Sequence, residues 1–395
     1  MNAKKIVFLI IRLLITAGTF ALAIYLLWRY EYISQMSKID NIVGAIPLAL
    51  VILAVAGVCT LTWLKYKKRR AAFAIIVAII TVLSIALFPN SLRGNWWIQR
   101  PYDTAGDSAD ISVYEPFKED NETAKLGEEP TLTIKSDFPV MDGALALYPV
   151  YAAVAESVYS FDNFEPESVM FTNTLKAFDG IIAGERDVIF SAAASAKQLK
   201  DAQNAGAELV FTPIGKEAFV FLAGITNPVD GLSYQQIRNI YSGKTAKWRT
   251  LGWKEGGNII AFQRPEGSGS QTGIQWVMGD MPLIRPQPLP DKSLVGENSL
   301  MKQVSVKYKG VQPALGYSYR YFATTMLPNP EAKLLKIDGI EPSVENIKNG
   351  TYPFTVNFYA ITNGEPSGNT KKLIDWLLST QGQQLIKQCG YVPIK

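Results

Sequence analysis

The sequence predicts an α/β domain set behind three membrane-spanning helices. Three observations carry that expectation. Long apolar stretches crowd into the first 90 residues. From Thr131 onward, short apolar runs alternate with helical patterns. Near the middle, the apolar run Ile259–Phe262 leads through a Gly- and Ser-rich turn into a second helical pattern.

The apolar stretches run from Ile6 to Trp28 with only Arg12 charged, from Val43 to Leu64 with no charge, and from Ala71 to Pro89 with none. A helix needs roughly 20 residues to cross about 30 Å of hydrocarbon, and each stretch approaches or exceeds that length. One such stretch after Lys4 and Lys5 would suit a signal peptide, but three in succession do not, and no small-residue cleavage site follows the first. The linker Lys65-Tyr66-Lys67-Lys68-Arg69-Arg70 carries five positive charges between the second and third stretches. Positive-inside bias puts it and Lys4/Lys5 in the cytoplasm, so everything after about residue 90 is expected outside. Trp96 and Trp97 stand where an interfacial aromatic belt belongs. The expectation is a multi-pass protein of the inner or plasma membrane, with its N-terminus cytoplasmic and its C-terminal domain extracytoplasmic.

The net charge of +4 averages two unlike parts. Residues 1–70 hold ten Lys/Arg against two Asp/Glu, and the remainder holds 29 against 33. The basic excess therefore belongs to the anchor, and a nucleic-acid partner is not expected. There is no histidine, which removes Ser-His-Asp and Cys-His nucleophile systems and the commonest zinc ligand. Cys59 falls inside the second apolar stretch, so Cys389 is read as an unpaired structural thiol. Nothing asks for a metal or a cofactor, and the chain is expected not to be an enzyme.

Residues 1–90 are thus an anchor. Residues 91–130, rich in Asp and Glu, read as a polar acidic tether with a short ordered piece around Tyr114–Phe117. In the domain 131–395, strands are expected at Thr131–Ile134, Val188–Ala192, Ala218–Ala223 and Ile259–Phe262. Helices are expected at Ala144–Tyr159, Ser195–Ala205, Ser233–Tyr241, Ile274–Met278 and, closing the chain, Thr370–Lys387.

The segment Arg264-Pro265-Glu266-Gly267-Ser268-Gly269-Ser270-Gln271-Thr272-Gly273 carries the chemistry. A glycine-rich loop opening a helix leaves backbone N–H groups aimed at the positive end of the helix dipole. Ser268, Ser270 and Thr272 add hydroxyls, and Arg264 adds a planar charged fork suited to an oxyanion. The loop has no Lys for a P-loop, and Gly267, Gly269 and Gly273 miss the dinucleotide-binding spacing by one residue. A plain helix cap uses the same residue types, so the loop alone leaves that alternative open.

Around this loop the sequence resembles the phosphate-binding proteins of bacterial ABC transporters, the PstS type. The likeness lies in Ala218-Phe219-Val220-Phe221, Asn227-Pro228-Val229-Asp230, Gln236–Lys244 with Trp248, and Gln263–Thr272. It continues through Ala314–Ser318, Ile337-Asp338-Gly339, Gly350–Pro353, Gly382-Gln383 and Gly390–Pro393. The pieces occur in the family's order over about residues 131–395. The resemblance implies a type II periplasmic-binding-protein fold, in which two α/β lobes close on a ligand about a hinge. Lobe 1 would take about 131–215 and the C-terminal return, and lobe 2 about 216–320.

It also implies an anion site at Arg264, Glu266, Ser268, Gly269, Ser270 and Gln271. Glu266 would take the family's role of accepting a hydrogen bond from a protonated phosphate oxygen. From lobe 1 the site would draw on the backbone of Gly143, Ala144 and Leu145 and on the hydroxyls of Thr172 and Thr174. Lobe 1 departs from the family where Leu145 replaces a hydroxyl residue and Ala192-Ala193-Ala194 lacks an Asp. Three readings stay open: an oxyanion-binding component working with an ABC permease or a membrane sensor, an envelope scaffold or adhesion protein with a silent cleft, and a hydrolase. The topology has its own check. In intact cells, once any outer membrane is permeabilised, external protease is expected to remove everything after residue 90, and protection of that region would reverse the orientation.

Overall fold

A computed structural model describes residues 109–264, 266–284, 300–305, 307 and 311–394. The three apolar stretches and the basic linker lie outside the described residues. Among the described residues, no helix is long and apolar enough to cross a membrane.

Lobe 1 opens with β1 (Met141–Gly143), a 3-10 turn at Leu145–Leu147, α1 (Tyr148–Val158), α2 (Thr174–Ile182), β2 (Val188–Ser191) and α3 (Ala196–Ala205). The strand β3 (Leu209–Gly224) then carries the chain into lobe 2. There follow β4 (Gly231–Leu232), α4 (Tyr234–Tyr241), β5 (Ile260–Ala261), α5 (Gly269–Met278), α6 (Leu300–Gln303), β6 (Ala314–Tyr319), β7 (Ala332–Leu334), β8 (Lys336–Ile337) and α7 (Val344–Lys348). The return to lobe 1 is made by β9 (Thr355–Asn363), α8 (Gly368–Leu377), α9 (Thr380–Gln388) and β10 (Val392–Pro393).

Local chemistry explains several boundaries. Ser195 and Ser233 each begin a helix with a Gln three residues on, and in both the serine side chain and the glutamine side chain cap reciprocally. Gly206, in the left-handed conformation at φ 72°, closes α3. The closing helix expected over Thr370–Lys387 is instead two helices. Ser379 breaks it, its side chain accepting from Gly382 N–H to start α9. The strand expected at Thr131–Ile134 reduces to a single bridge between Ile134 and Tyr159. The ordered piece of the acidic stretch is longer than its four residues. Tyr114 is buried in the lobe 1 core, with Ile111, Val113, Phe117, Ala124 and Leu126 packed beside it.

In lobe 1 the sheet order is β1-β2-β9-β3, with β1 and β2 parallel and the other pairs antiparallel. In lobe 2, β3 pairs antiparallel with both β6 and β7, and β5 lies parallel to β6. The two lobes have separate cores. Met141, Tyr151, Phe190, Phe358, Leu373 and Ile386 lie in one, and Phe219, Phe221, Tyr241, Trp248, Ile274 and Tyr317 in the other. The second core extends to Phe354, so lobe 2 chain continues well past residue 320. Cys389 is free and buried in lobe 1, its thiol 3.7 Å from the Pro149 carbonyl, and burial pushes it up to about 12.

β3 changes partners between Ala218 and Phe219, where lobe 1 becomes lobe 2. Beside that point sits Glu217, only 3% exposed. Its carboxylate accepts from Ala218 N–H at 2.7 Å and Tyr321 N–H at 3.1 Å and pairs with Arg320 at 3.3 Å. Arg320 also donates to the Gly390 carbonyl at 2.8 Å. Burial holds the Glu217 carboxyl above its usual range, while the Arg320 charge and the two N–H donors pull it back. Removing one partner of such a pair costs more than the pair contributes, because a buried charge remains. Arg320→Met is therefore expected to lower stability by about 3–5 kcal/mol at neutral pH. Without the arginine the folded carboxyl rises further. An acid raised on folding contributes most stability below its unfolded value, and that contribution is lost as pH rises through the folded one. The loss should thus shrink toward pH 4 and be relieved by adding Glu217→Gln. Urea denaturation across pH 4–8 measures both; a pH-independent loss would remove Glu217 from the account.

Candidate anion site

The lobe 1 wall forms at the carboxyl ends of β1 and β2, where open α/β sheets receive ligands. Gly143 pairs with Phe190, and Ala144 N–H donates to the Phe190 carbonyl at 2.8 Å. This sets residues 144–146 beside residues 192–194. Gly143 is required there, because a Cβ would lie 2.5 Å from the Phe190 carbonyl oxygen.

Asp142, fully buried, organises this edge. It accepts from Gly143 N–H at 2.8 Å, from Thr172 N–H at 3.0 Å and from the Thr172 hydroxyl at 2.6 Å, and it pairs with Arg186 Nε at 3.2 Å. The Thr172 hydroxyl is thereby committed to the fold. Its work is to pull the 172–174 turn onto β1. Asn173 follows at φ 107° and ψ 166°, a region nearly confined to glycine, and caps α2 by accepting from Lys176 N–H at 3.1 Å. Thr174 is then the first residue of α2. It is 8% exposed, and among the described residues its hydroxyl has no hydrogen-bond partner.

The lobe 2 wall forms after β5. Arg264 N–H donates to the Tyr317 hydroxyl at 2.9 Å and to Gln271 Oε1 at 3.0 Å. Tyr317 OH in turn donates to the same Gln271 oxygen at 2.5 Å. The Gln271 side chain therefore faces inward and braces the backbone from which Arg264 springs. Burial raises the Tyr317 phenol above its ordinary value, so it stays a neutral donor. Ser268 caps α5 by accepting from Gln271 N–H at 3.3 Å, which leaves its own O–H to give away. Thr272 donates to the Ser268 carbonyl at 3.1 Å. Ser270, in the first turn, is half-buried. Glu266 is exposed and accepts from the Gln275 amide at 2.8 Å, along the outside of α5.

The two walls meet at these helix starts. Thr174 Oγ1 lies 3.4 Å from where a Cβ on Gly269 would stand. Gln198, the capping residue of α3, donates to the Gly267 carbonyl at 3.4 Å. Leu145 and Ala146 pack against the lobe 2 core. The structure thus brings Thr174, Ser268, Gly269 and Ser270 together at two helix N-termini, with Arg264 rooted at the start of the loop. Glu266 and the side chains of Thr172 and Gln271 have the partners given above.

A PBP superfamily domain model matches residues 141–381. The chain belongs to that superfamily. It is also similar to the phosphate-binding protein PstS of Bacillus subtilis, 27% identical over 183 residues, which is 45% of this chain and 56% of that protein. PstS of Pseudomonas aeruginosa is 25% identical over 213 residues, 49% of this chain and 62% of its own length. The chain therefore spans less than two thirds of the length of either of these two relatives. Among solved structures, a Clostridium perfringens phosphate ABC transporter substrate-binding protein with bound phosphate superposes at a TM-score of 0.50 with 22% identity, covering 67% of this chain and all of that one. That likeness establishes the fold.

Sequence reasoning missed Asp142, Arg186, Gln198 and Tyr317. An aspartate inside an apolar strand end, before glycine, was the available signal for the first. The others act through the fold and left none. Gly267 is the loop's conformational pivot, at φ 80°, and a Cβ there would also run into Leu175 of α2. Gly267→Ala is expected to cost about 1–2 kcal/mol from the backbone alone and to lower oxyanion affinity. Urea midpoints and titration calorimetry measure the two effects, and unchanged affinity would remove this loop from the site.

Proposed function

We propose that this chain is a membrane-tethered, non-enzymatic binding protein that captures a small oxyanion, phosphate foremost, for ABC-type uptake or sensing. The carrying observation is the meeting of two helix N-termini, α2 and α5, around the hydroxyl of Thr174, a residue only 8% exposed, and the Ser268–Ser270 loop. Helix starts present unpaired N–H groups and a positive dipole end, which suits a compact anion. A charge-assisted hydrogen bond contributes about 1.5–3 kcal/mol net, so a few such donors hold an anion against the domain's own negative charge. The matches to proteins named as phosphate-binding support this ligand, and the basic linker between apolar stretches supports the tether and a permease or sensor partner in the same membrane.

Titration of the full chain with phosphate at fixed ionic strength tests the site. Arg264→Ala is expected to weaken binding by roughly 30- to 5,000-fold, the equivalent of about 2–5 kcal/mol. Ser268→Ala should cost about 1–3 kcal/mol, because neighbouring N–H donors remain. Equal binding by Arg264→Ala and wild type would move the site elsewhere. No binding of any oxyanion by wild type would leave the scaffold reading.

A further inference from the structure

We propose that residues 109–126 are a strap across the junction of the two lobes, seated in full only when the lobes are together. Capture of an anion is thereby passed to the chain that leads back to the apolar stretches. This rests on the oxyanion reading above and adds a regulation to it.

The strap has a foot in each lobe. Ala109, 5% exposed, belongs to the lobe 2 core with Phe219, Trp248 and Tyr317. Only residues 110–113 separate it from Tyr114, 7% exposed, which belongs to the lobe 1 core with Tyr151 and Phe190. The crossing between the feet is stiff. Asp110 accepts from Ser112 N–H at 3.0 Å and from the Ser112 hydroxyl at 2.7 Å. Tyr114 N–H donates to the Ile111 carbonyl at 2.9 Å, closing a 3-10 turn over Ser112–Tyr114. So short and hydrogen-bonded a bridge has little slack to absorb a movement between its ends.

Beyond Tyr114 the strap is fastened to lobe 1. The Asn121 amide donates to the Glu156 carboxylate on α1 at 2.7 Å, and the Thr123 hydroxyl donates to the same oxygen. Farther on, Gln381 of α9 donates to the Glu128 side chain at 3.0 Å and the Glu129 carbonyl at 2.9 Å. Ala109 is therefore the end that a movement of lobe 2 would pull from its seat. An alanine buries little apolar surface, so that seat is left and regained easily.

The cores of the lobes are separate, and the chain crosses between them within β3 and again where Phe354, in the lobe 2 core, enters β9. Here the lobes touch across the site, Gln198 donating to the Gly267 carbonyl at 3.4 Å, and the strap is seated. Parting of the α2 and α5 starts about the two crossings shifts the seat of Ala109 relative to that of Tyr114. An anion held between those helix starts favours the lobes together and hence the seated strap. Such a coupling is reciprocal, so an unseated strap weakens the anion site.

The test follows hydrogen–deuterium exchange by mass spectrometry in peptides spanning residues 109–126 of the detergent-solubilised full chain. Sodium phosphate is expected to slow exchange there by about fivefold or more. A second arm needs no ligand. Thr174 Oγ1 lies 3.4 Å from where a Cβ on Gly269 would stand, so the double variant Thr174→Cys/Gly269→Cys can tie the two helix starts by a disulfide. Oxidation of that variant is expected to slow exchange in the strap to the same degree. Ala109→Asp, which puts a charge into the lobe 2 seat, is expected to weaken phosphate binding by about fivefold or more in calorimetry. Strap exchange unchanged by phosphate that calorimetry shows to be bound, or unchanged by the closed disulfide, would overturn the strap and leave the oxyanion reading intact. Protection by the disulfide without any phosphate binding would uphold the strap and overturn the oxyanion reading.

Discussion

The fold turns on one strand and one buried ion pair within it. β3 is 16 residues long, about 50 Å if fully extended, and serves as an interior strand of both lobes. A strand that changes partners part-way must keep every backbone group paired on both sides of the change. Glu217 stands beside that change and accepts the N–H of its own neighbour Ala218 and of Tyr321 on the segment leaving β6. Arg320 neutralises the carboxylate and reaches on to the Gly390 carbonyl, near the C-terminal return. One buried carboxylate thus ties together three stretches of chain at the point where the lobes join. Ionic groups are a costly way to fill such a place. What they add over apolar packing is direction, because N–H donors and a guanidinium fix both the register of β3 and the exit of β6.

The same logic recurs at the candidate site, where Asp142 spends all its acceptor capacity on shaping lobe 1. Its four bonds bring the 172–174 turn, the end of β1 and the Arg186 segment to one edge. The carboxylate is a builder of the wall and leaves ligand contact to the helix starts. That division matters for an anion site, since an uncommitted carboxylate in the cleft would repel the ligand. The repulsion is instead absorbed by Arg186 and three hydrogen bonds, all within lobe 1.

Much of this was legible in the residues, and the failures have physical causes. Alternating buried runs and helical spacings gave β2, α3, α4, β5 and the second half of α5, which starts at Gly269, five residues before the expected Ile274. Ser195, Ser233 and Ser268 announce their helices by hydroxyl position alone. The closing helix was misjudged because Ser379 sits inside an unbroken apolar period, and a cap there is visible only once Gly382 N–H is seen to donate to it. The stretch after residue 90 looked solvated because its charge is dense, yet Tyr114 and Phe117 carry enough ring surface to dock. At the site, hydroxyl residues were readable as donors, but their commitments were not. Thr172 and Thr174 are two residues apart and identical in kind, and only the fold spends one on Asp142 and leaves the other at the start of α2.

The hinge and the anion loop are also physically joined, through β6. Its residues alternate in direction, as strand geometry requires. Tyr317 OH reaches Gln271 and receives Arg264 N–H, and Tyr319 OH reaches the Gly269 carbonyl at 3.3 Å, so two residues one pleat apart grip both ends of the loop. Immediately beyond Tyr319, Arg320 enters the ion pair with Glu217. A displacement of the loop toward α2 therefore pulls on a strand whose end is held at the lobe junction by a charged pair. Burial keeps both tyrosines neutral, so their hydroxyls remain donors over the physiological pH range. The spacing of Tyr317 and Tyr319 along β6, with Arg320 immediately after it, sets the distance between ligand loop and hinge. Such a distance is fixed by backbone geometry and cannot relax independently at either end.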